Sequence, residues 1–387
     1  MTHQPIWNFR PTVLQSGNYS IDPNDLLQRY LDDCDRAQRN ADANLRESPS
    51  PSKSTIIPSR EASSHTESDS VHLRTSQWNV HAFCARWLEG DETYDLKKHG
   101  KNVAETLIDT DSDIIILNEF CVDRKSNLHK SSNEQKRRKR NEERSHQTNI
   151  FSSILETYGY VIHEASCSYP TAIASRIPIQ TWGEFPLDFK RSAVYIKAIV
   201  SGPKGPKVIT VFGTHLEDSD VDNGSQRLKE VEMLISCVNE VQKEGNSNCL
   251  KIAGNYSNKP EKVQHDEDRI LIVGDLNQQR ENDYTDLEWV TLCANKKMRD
   301  SPSDDGVSTL LRNSQFRCNF DCLSSKAESD PPLKCNWLQH DPPPATHWTS
   351  TIVDYSYFKG SINLEGINIH PSKLSDHRLI VCDWVVH

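Results

Sequence analysis

The sequence predicts a layered α/β domain, and three observations carry that prediction. Two short runs, Ile114-Ile115-Ile116-Leu117 and Ile270-Leu271-Ile272-Val273, are continuous and rich in β-branched residues, as in strands buried on both faces. Ala193 to Val200 and Val208 to Phe212 flank Gly202-Pro203-Lys204-Gly205-Pro206 and read as a hairpin. Between Gly224 and Glu244, Leu228, Val231, Leu234, Ile235 and Val238 recur at three- and four-residue spacing, which gives a helix one apolar face. Strands interleaved with helices over residues 71–387 indicate one α/β domain.

Ahead of that domain, residues 1–70 read as an extension. Leu26, Leu27, Tyr30 and Leu31 sit at helical spacing and predict one helix between Pro23 and about Leu45. From Ser48-Pro49-Ser50-Pro51-Ser52 to Ser70 the chain is too polar to offset the entropy of ordering it, which predicts a flexible linker. Inside the domain two polar insertions are expected to form surface loops, residues 123–147 with Lys136-Arg137-Arg138-Lys139-Arg140 and residues 251–268. The basic run has three readings: a phosphate-backbone contact, a nuclear-import signal, or a solvated loop.

Composition agrees with a real core diluted by tails and insertions: 35% of the 387 residues are hydrophobic and 26% are charged. The net charge of −10 excludes a general polyanion binder, so any nucleic-acid contact has to come from a local patch. No stretch approaches the roughly 20 apolar residues of a membrane span, and Met1-Thr2-His3-Gln4-Pro5 has no secretory character. The eleven cysteines are scattered and odd in number, which fits reduced thiols and an intracellular protein, cytoplasmic or nuclear. Cys318, Cys322 and Cys335 lack a paired C-x-x-C frame, which argues against zinc.

The polar residues that close the strands carry the chemistry. Gln77-Trp78-Asn79 ends the first strand, Asn118-Glu119 follows Leu117, and Thr214-His215-Leu216-Glu217 follows the hairpin. Gly274-Asp275-Leu276-Asn277 follows Val273, Val353-Asp354-Tyr355 lies in a late apolar run, and Ser375-Asp376-His377 precedes the last strand. Any one of these is an ordinary return of the chain to water. Together they put carboxylates, asparagines and histidines at strand junctions, where α/β proteins place their sites. Converging carboxylates would repel one another without a counterion, and oxygen donors suit Mg2+, Mn2+ or Ca2+ better than zinc.

This ordered series of motifs resembles the endonuclease/exonuclease/phosphatase superfamily, the deoxyribonuclease I-like fold, over about residues 71–387. The resemblance implies an α/β (α+β) fold of two packed β-sheets flanked by helices, with the site at one rim. It also implies Mg2+-dependent phosphoester hydrolysis, with Mn2+ as an alternative ion. Carried over, Glu119 and Asp376 would hold the metal with Asn79 supporting them, and Asp275 would position or deprotonate the attacking water. Asn277 would orient the phosphate, His215 would donate to a non-bridging oxygen, and His377 would pair with Asp354. Trp348, in the loop-like Thr346-His347-Trp348-Thr349, and Arg280 are the candidate substrate contacts, with Trp348 preferred over Tyr355 and Tyr357 for stacking.

Several positions depart from the family's subclasses. Asn118 stands where glutamine is common, and His81 where apurinic/apyrimidinic endonucleases tend to carry aspartate. Ile352-Val353-Asp354-Tyr355 lacks the Trp-Cys-Asp-Arg of inositol polyphosphate 5-phosphatases, and Arg191-Ser192-Ala193 lacks the acid of secreted deoxyribonucleases. The expected function is therefore a metal-dependent phosphodiesterase acting on nucleic acid. The alternatives are a lipid or small-molecule phosphoesterase of the sphingomyelinase or phosphoinositide kind, or a catalytically silent binding module; the last is disfavoured because all the motif residues are present.

Overall fold

The computed structural model describes residues 28–32, 34–36, 39, 70–84, 94–120, 134–167, 170–187, 191–218, 225–245, 268–294, 306–322, 333–337, 343–349 and 351–387. In chain order the strands are β1 (Val71–Asn79), β2 (Ile114–Asn118), β3 (Val161–Glu164), β4 (Ala172–Ser175), β5 (Ile179–Pro186), β6 (Ser192–Gly202) and β7 (Gly205–His215). They continue with β8 (Arg269–Asp275), β9 (Arg317–Cys318), β10 (Lys334–Cys335), β11 (Asp354–Gly360), β12 (Ile362–His370) and β13 (Leu379–Val386). The helices are α1 (His99–Ile108), α2 (Glu134–Thr157), α3 (Ser225–Gly245), α4 (Asp286–Ala294) and α5 (Val307–Asn313).

The strands form two mixed sheets, a seven-stranded one in the order β10-β12-β13-β1-β2-β4-β3 and a six-stranded one in the order β5-β6-β7-β8-β11-β9. Alternation along β2 shows how the layers stack. Ile114 and Ile116 enter the larger core, whereas Ile115 and Leu117 enter a second core with Val103, Leu107, Phe151 and Leu155 of α1 and α2. The apolar run Ile114 to Leu117 is thus a strand covered on both faces, and each of its side chains contributes about 2–3 kcal/mol on burial. β13 divides the same way, Ile380, Cys382 and Trp384 to one side and Leu379 and Val381 to the other. On the six-stranded side, Val231, Leu234, Val238 and Val241 of α3 join the larger core. The hairpin closes between Gly202 and Gly205, which are register partners across Pro203 and Lys204.

One expectation changes. Residues 134–147 are not a loop: they are the first part of α2, rich in Glu, Gln, Lys and Arg, which have high helix propensity, and without Gly or Pro. The end of this helix is anchored by Phe151 and Leu155, and Gln147 Oε1 accepts the Gly100 N–H of α1 at 2.7 Å. Tyr355 and Tyr357 are both core residues, fully buried, with hydroxyls bonded to Asp283 and to Gln278 and Ser308. The Ser/Pro stretch and most of 251–268 lie outside the described residues.

The helix expected between Pro23 and Leu45 is present at residues 28–32 and 34–36, and it is docked. Tyr30 and Cys34, one turn apart, are buried, and Asp35 pairs with Lys373 beside the loop that precedes β13.

Candidate active site

Strand register assembles the site. His215 at the end of β7 is level with Asp275 at the end of β8, and Asp275 is level with Asp354 at the start of β11. Neighbours level on adjacent strands project to one face, so three polar residues distant in sequence form one row at a rim of the six-stranded sheet. Asn79 and Asn118 are likewise register partners at the ends of β1 and β2. His377 joins through an isolated bridge to His347.

Asp275 is the centre. Its Oδ2 accepts from Asn79 Nδ2 at 3.1 Å and lies 3.6 Å from His215 Nε2 and 3.7 Å from His377 Nε2. Its Oδ1 accepts the Asn277 N–H at 3.0 Å, and Asn277 Nδ2 is tied to the Leu216 carbonyl at 3.0 Å. The preceding Gly274 is needed for close approach: a Cβ there would fall 1.8 Å from the Thr214 carbonyl oxygen.

The two histidines differ in charge. Burial alone would lower the His377 pKa, but the Asp354 carboxylate and its hydrogen bond, with Asp275 and Asp376 near by, raise it to about 10. Asp354 Oδ2 lies 2.9 Å from His377 Nδ1, and its Oδ1 accepts from Gln77 Nε2 at 2.9 Å, so the carboxylate is held from both sides. The N–H groups of Val353 and Asp354 both donate to Thr346 Oγ1, fixing the start of β11. For His215, burial and the neighbouring Arg191 lower the pKa to about 3. Arg191 Nη1 can only donate and stands 3.0 Å from Nδ1 against 3.4 Å from Nε2, so the nearer Nδ1 is assigned as the acceptor and the neutral ring's proton to Nε2, facing Asp275.

A second cluster lies beside the first. His81 Nδ1 sits 3.2 Å from Asp376 Oδ2 and 3.8 Å from Glu119 Oε2, a ring nitrogen between two carboxylates. Asn79 supports this pair, donating to Glu119 Oε1 at 3.4 Å and accepting the His81 N–H at 2.9 Å. Burial raises the Glu119 pKa, and Asp376 adds to the rise. His81, Glu119 and Asn277 are all non-glycine residues with positive φ, at 45°, 52° and 50°. Left-handed backbone at three residues of these two adjoining clusters is strain held in place by the surrounding fold. Two groups, His347-Asp376-His377 and Asp275-Asp354-His377, have donor atoms within 4.8 Å of one another, close enough to hold a cation.

The remaining candidates separate. Trp348 is half-buried at the rim, and its backbone N–H donates to the Asp376 carbonyl at 2.9 Å. Arg280 is not at the rim. It is buried, paired with Asp283 and Asp321, with its guanidinium 5.4 Å from the Tyr355 ring, so its charge is spent inside the fold. Sequence reasoning missed Gln77, Arg191 and His347 as site residues, and it undervalued Asn118. Asn118 Nδ2 donates to the Thr214 carbonyl at 2.8 Å and to Thr171 Oγ1 at 3.1 Å, and its Oδ1 accepts the Asp275 N–H at 3.0 Å. The signal available for Asn118 was its place next to Glu119 on a buried strand.

Residues 76–377 match the Endonuclease/Exonuclease/phosphatase family, well over half of the chain. The chain belongs to that family. Family members are hydrolases acting on phosphoester bonds, and two mixed sheets flanked by helices are the family's α/β sandwich. Among solved structures it is similar to the human Nocturnin catalytic domain with bound sulfate anion, at 15% identity and TM-score 0.50, covering 82% of this chain and 96% of that one. It is also similar to an endonuclease/exonuclease/phosphatase family protein from Bacteroides thetaiotaomicron, at 13% identity and TM-score 0.50, covering 82% and 96%. A truncated Caenorhabditis elegans TDP2 matches at 15% identity and TM-score 0.45, covering 82% and 98%. No curated protein matches the chain in sequence at a significant level.

Proposed function

We propose that this family member is a divalent-cation-dependent phosphodiesterase acting on nucleic acid, with Mg2+ as its ion and Mn2+ as the alternative. The observation that carries the reading is Asp275 Oδ2, flanked by two imidazoles at 3.6 and 3.7 Å, one neutral and one cationic, with a carboxylate pair alongside. Glu119 and Asp376, supported by Asn79, have the oxygen donors a hard cation takes. When bound there, the ion supplies Lewis-acid charge to the phosphoryl oxygens.

The protein's own groups divide the rest of the work. Asp275, fixed by Asn79 and by the Asn277 N–H, accepts the proton of the attacking water and keeps its lone pair in line with phosphorus. His377, held cationic by Asp354, faces the negative charge that grows on the equatorial oxygens, where a preset charge helps most. His215, as a neutral ring, donates a hydrogen bond from its Nε2–H to a non-bridging oxygen and keeps the proton, and Asn277 orients the phosphate. Trp348, half-buried beside Asp376, offers an aromatic face at the rim for a base. No helix among the described residues is long and apolar enough to cross a membrane.

The test is nicking of supercoiled plasmid with Mg2+, with EDTA, and with His377→Ala. Cleavage by the wild-type protein alone, abolished by EDTA and restored by Mg2+, is the expected result. An inactive wild type on plasmid and oligonucleotides, together with turnover of sphingomyelin or phosphoinositide vesicles, overturns the nucleic-acid reading in favour of lipid.

A further inference from the structure

The docked N-terminal helix contains a residue that the family match, which begins at residue 76, does not reach. Tyr30 is buried at 3% exposure, and its hydroxyl lies 2.9 Å from the Ser372 carbonyl, 3.0 Å from the Ser375 carbonyl and 3.3 Å from the His377 carbonyl. Three backbone oxygens of one turn therefore converge on a single donor. Buried carbonyls need a partner. The Trp78 indole N–H also reaches the His377 carbonyl, at 2.9 Å, while the carbonyls of Ser372 and Ser375 point at the phenol. Burial keeps the Tyr30 pKa well above its ordinary value, so the hydroxyl stays a donor at any working pH.

The rest of the helix reinforces the contact. The Arg378 guanidinium lies 5.4 Å from the Tyr30 ring, and Asp35 pairs with Lys373 at the start of the same turn. On its other side the turn is stitched to the rim: Ser375 Oγ bonds the Asn79 carbonyl, and the Arg378 N–H donates to the Thr346 carbonyl at 2.7 Å. Between these fastenings sit Asp376 and His377.

We propose that Tyr30 is a positioning residue for the Ser375-Asp376-His377 turn, so that the N-terminal helix forms the back wall of the active site. Its hydroxyl gathers the turn's carbonyls inward, which sends the Asp376 and His377 side chains outward into the site. The inference rests on the catalytic role given to His377 above, and it concerns geometry rather than chemistry: Tyr30 does not face the row of His215, Asp275 and Asp354.

The test is Tyr30→Phe in the full chain, which keeps the ring and removes only the hydroxyl, beside Gln28→Ala, which trims an exposed side chain of the same helix whose hydrogen bond goes to Asp32. Hydrogen exchange across the protein is measured first, then kcat and KM on a cleaved oligonucleotide. Expected for Tyr30→Phe are faster exchange confined to residues 372–378, kcat down by about 10-fold and KM within about 2-fold, with Gln28→Ala near wild type in both. Exchange in the turn unchanged from wild type overturns the proposal. So does faster exchange spread evenly over the fold, the mark of a merely structural residue. If the wild type cleaves no phosphodiester, the catalytic reading fails, and the exchange data still decide whether Tyr30 holds the turn.

Discussion

On the six-stranded side of the site, His215 stands 3.6 Å from Asp275 Oδ2 with Arg191 behind it; on the seven-stranded side, His377 stands 3.7 Å from the same oxygen with Asp354 behind it. Both rings are buried and both face the same carboxylate, yet one is pushed down to about 3 and the other up to about 10. The difference comes from the residue on the far side of each ring. A guanidinium donating to Nδ1 forbids a second proton, and a carboxylate accepting from Nδ1 demands one. Charge at the site is thus set from behind, by residues that need not touch substrate.

The largest effect is expected from Asp354→Asn, which keeps the shape and removes the charge that sustains His377. Turnover should fall by about 10²–10⁴-fold, the usual contribution of such a group, and the His377 titration followed by NMR should move down from about 10. Next is Asn118→Ala, which removes three buried hydrogen bonds, two of them joining the two sheets; urea unfolding should show a loss of about 2–4 kcal/mol. Arg191→Met should be milder for catalysis, about 10-fold in kcat, while the His215 midpoint rises from about 3 toward the ordinary value. A His215 midpoint left in place would show that burial alone, without Arg191, separates the two rings.

The smallest effect lies away from the site. His99 is buried on α1, and burial lowers its pKa to about 4. The unfolded chain then takes up a proton first as pH falls below about 6.5, so stability is complete above that pH and is lost progressively down to about 4. At pH 5.5 the loss attributable to this residue is about 1 kcal/mol, and His99→Gln should flatten that part of the stability profile without altering either site histidine.

What could be read in the sequence was whatever lies within one strand and its end. The run Ile114 to Leu117 declared a strand covered on both faces, and the polar residues after it and after Ile270 to Val273 marked the rim. The family motifs then extended those marks to His215, Asp354 and His377. What could not be read was whatever two distant strands do to each other. Gln77 reaches Asp354 because β1 and β11 meet across the sandwich, and Asn118 of β2 reaches Thr214 of β7 and Asp275 of β8 in the same way. Arg280 failed as a substrate contact for a different reason: Asp283, only three residues on, and Asp321 pair with its guanidinium inside the fold. The basic run Lys136 to Arg140 was misjudged differently, since polarity suggested a loop while helix propensity and a distant anchor at Phe151 and Leu155 made it part of α2.

Asn118 has one more consequence. Its side chain leaves the seven-stranded sheet and fastens to Thr214 and Asp275 of the six-stranded one, right at the rim. Strand ends pinned there form a mould and not a jaw: β2, β7 and β8 keep their spacing as a ligand enters. The bending needed to bring a phosphate in line falls to the ligand, and supple ligands should be processed faster than stiff ones of the same chemistry.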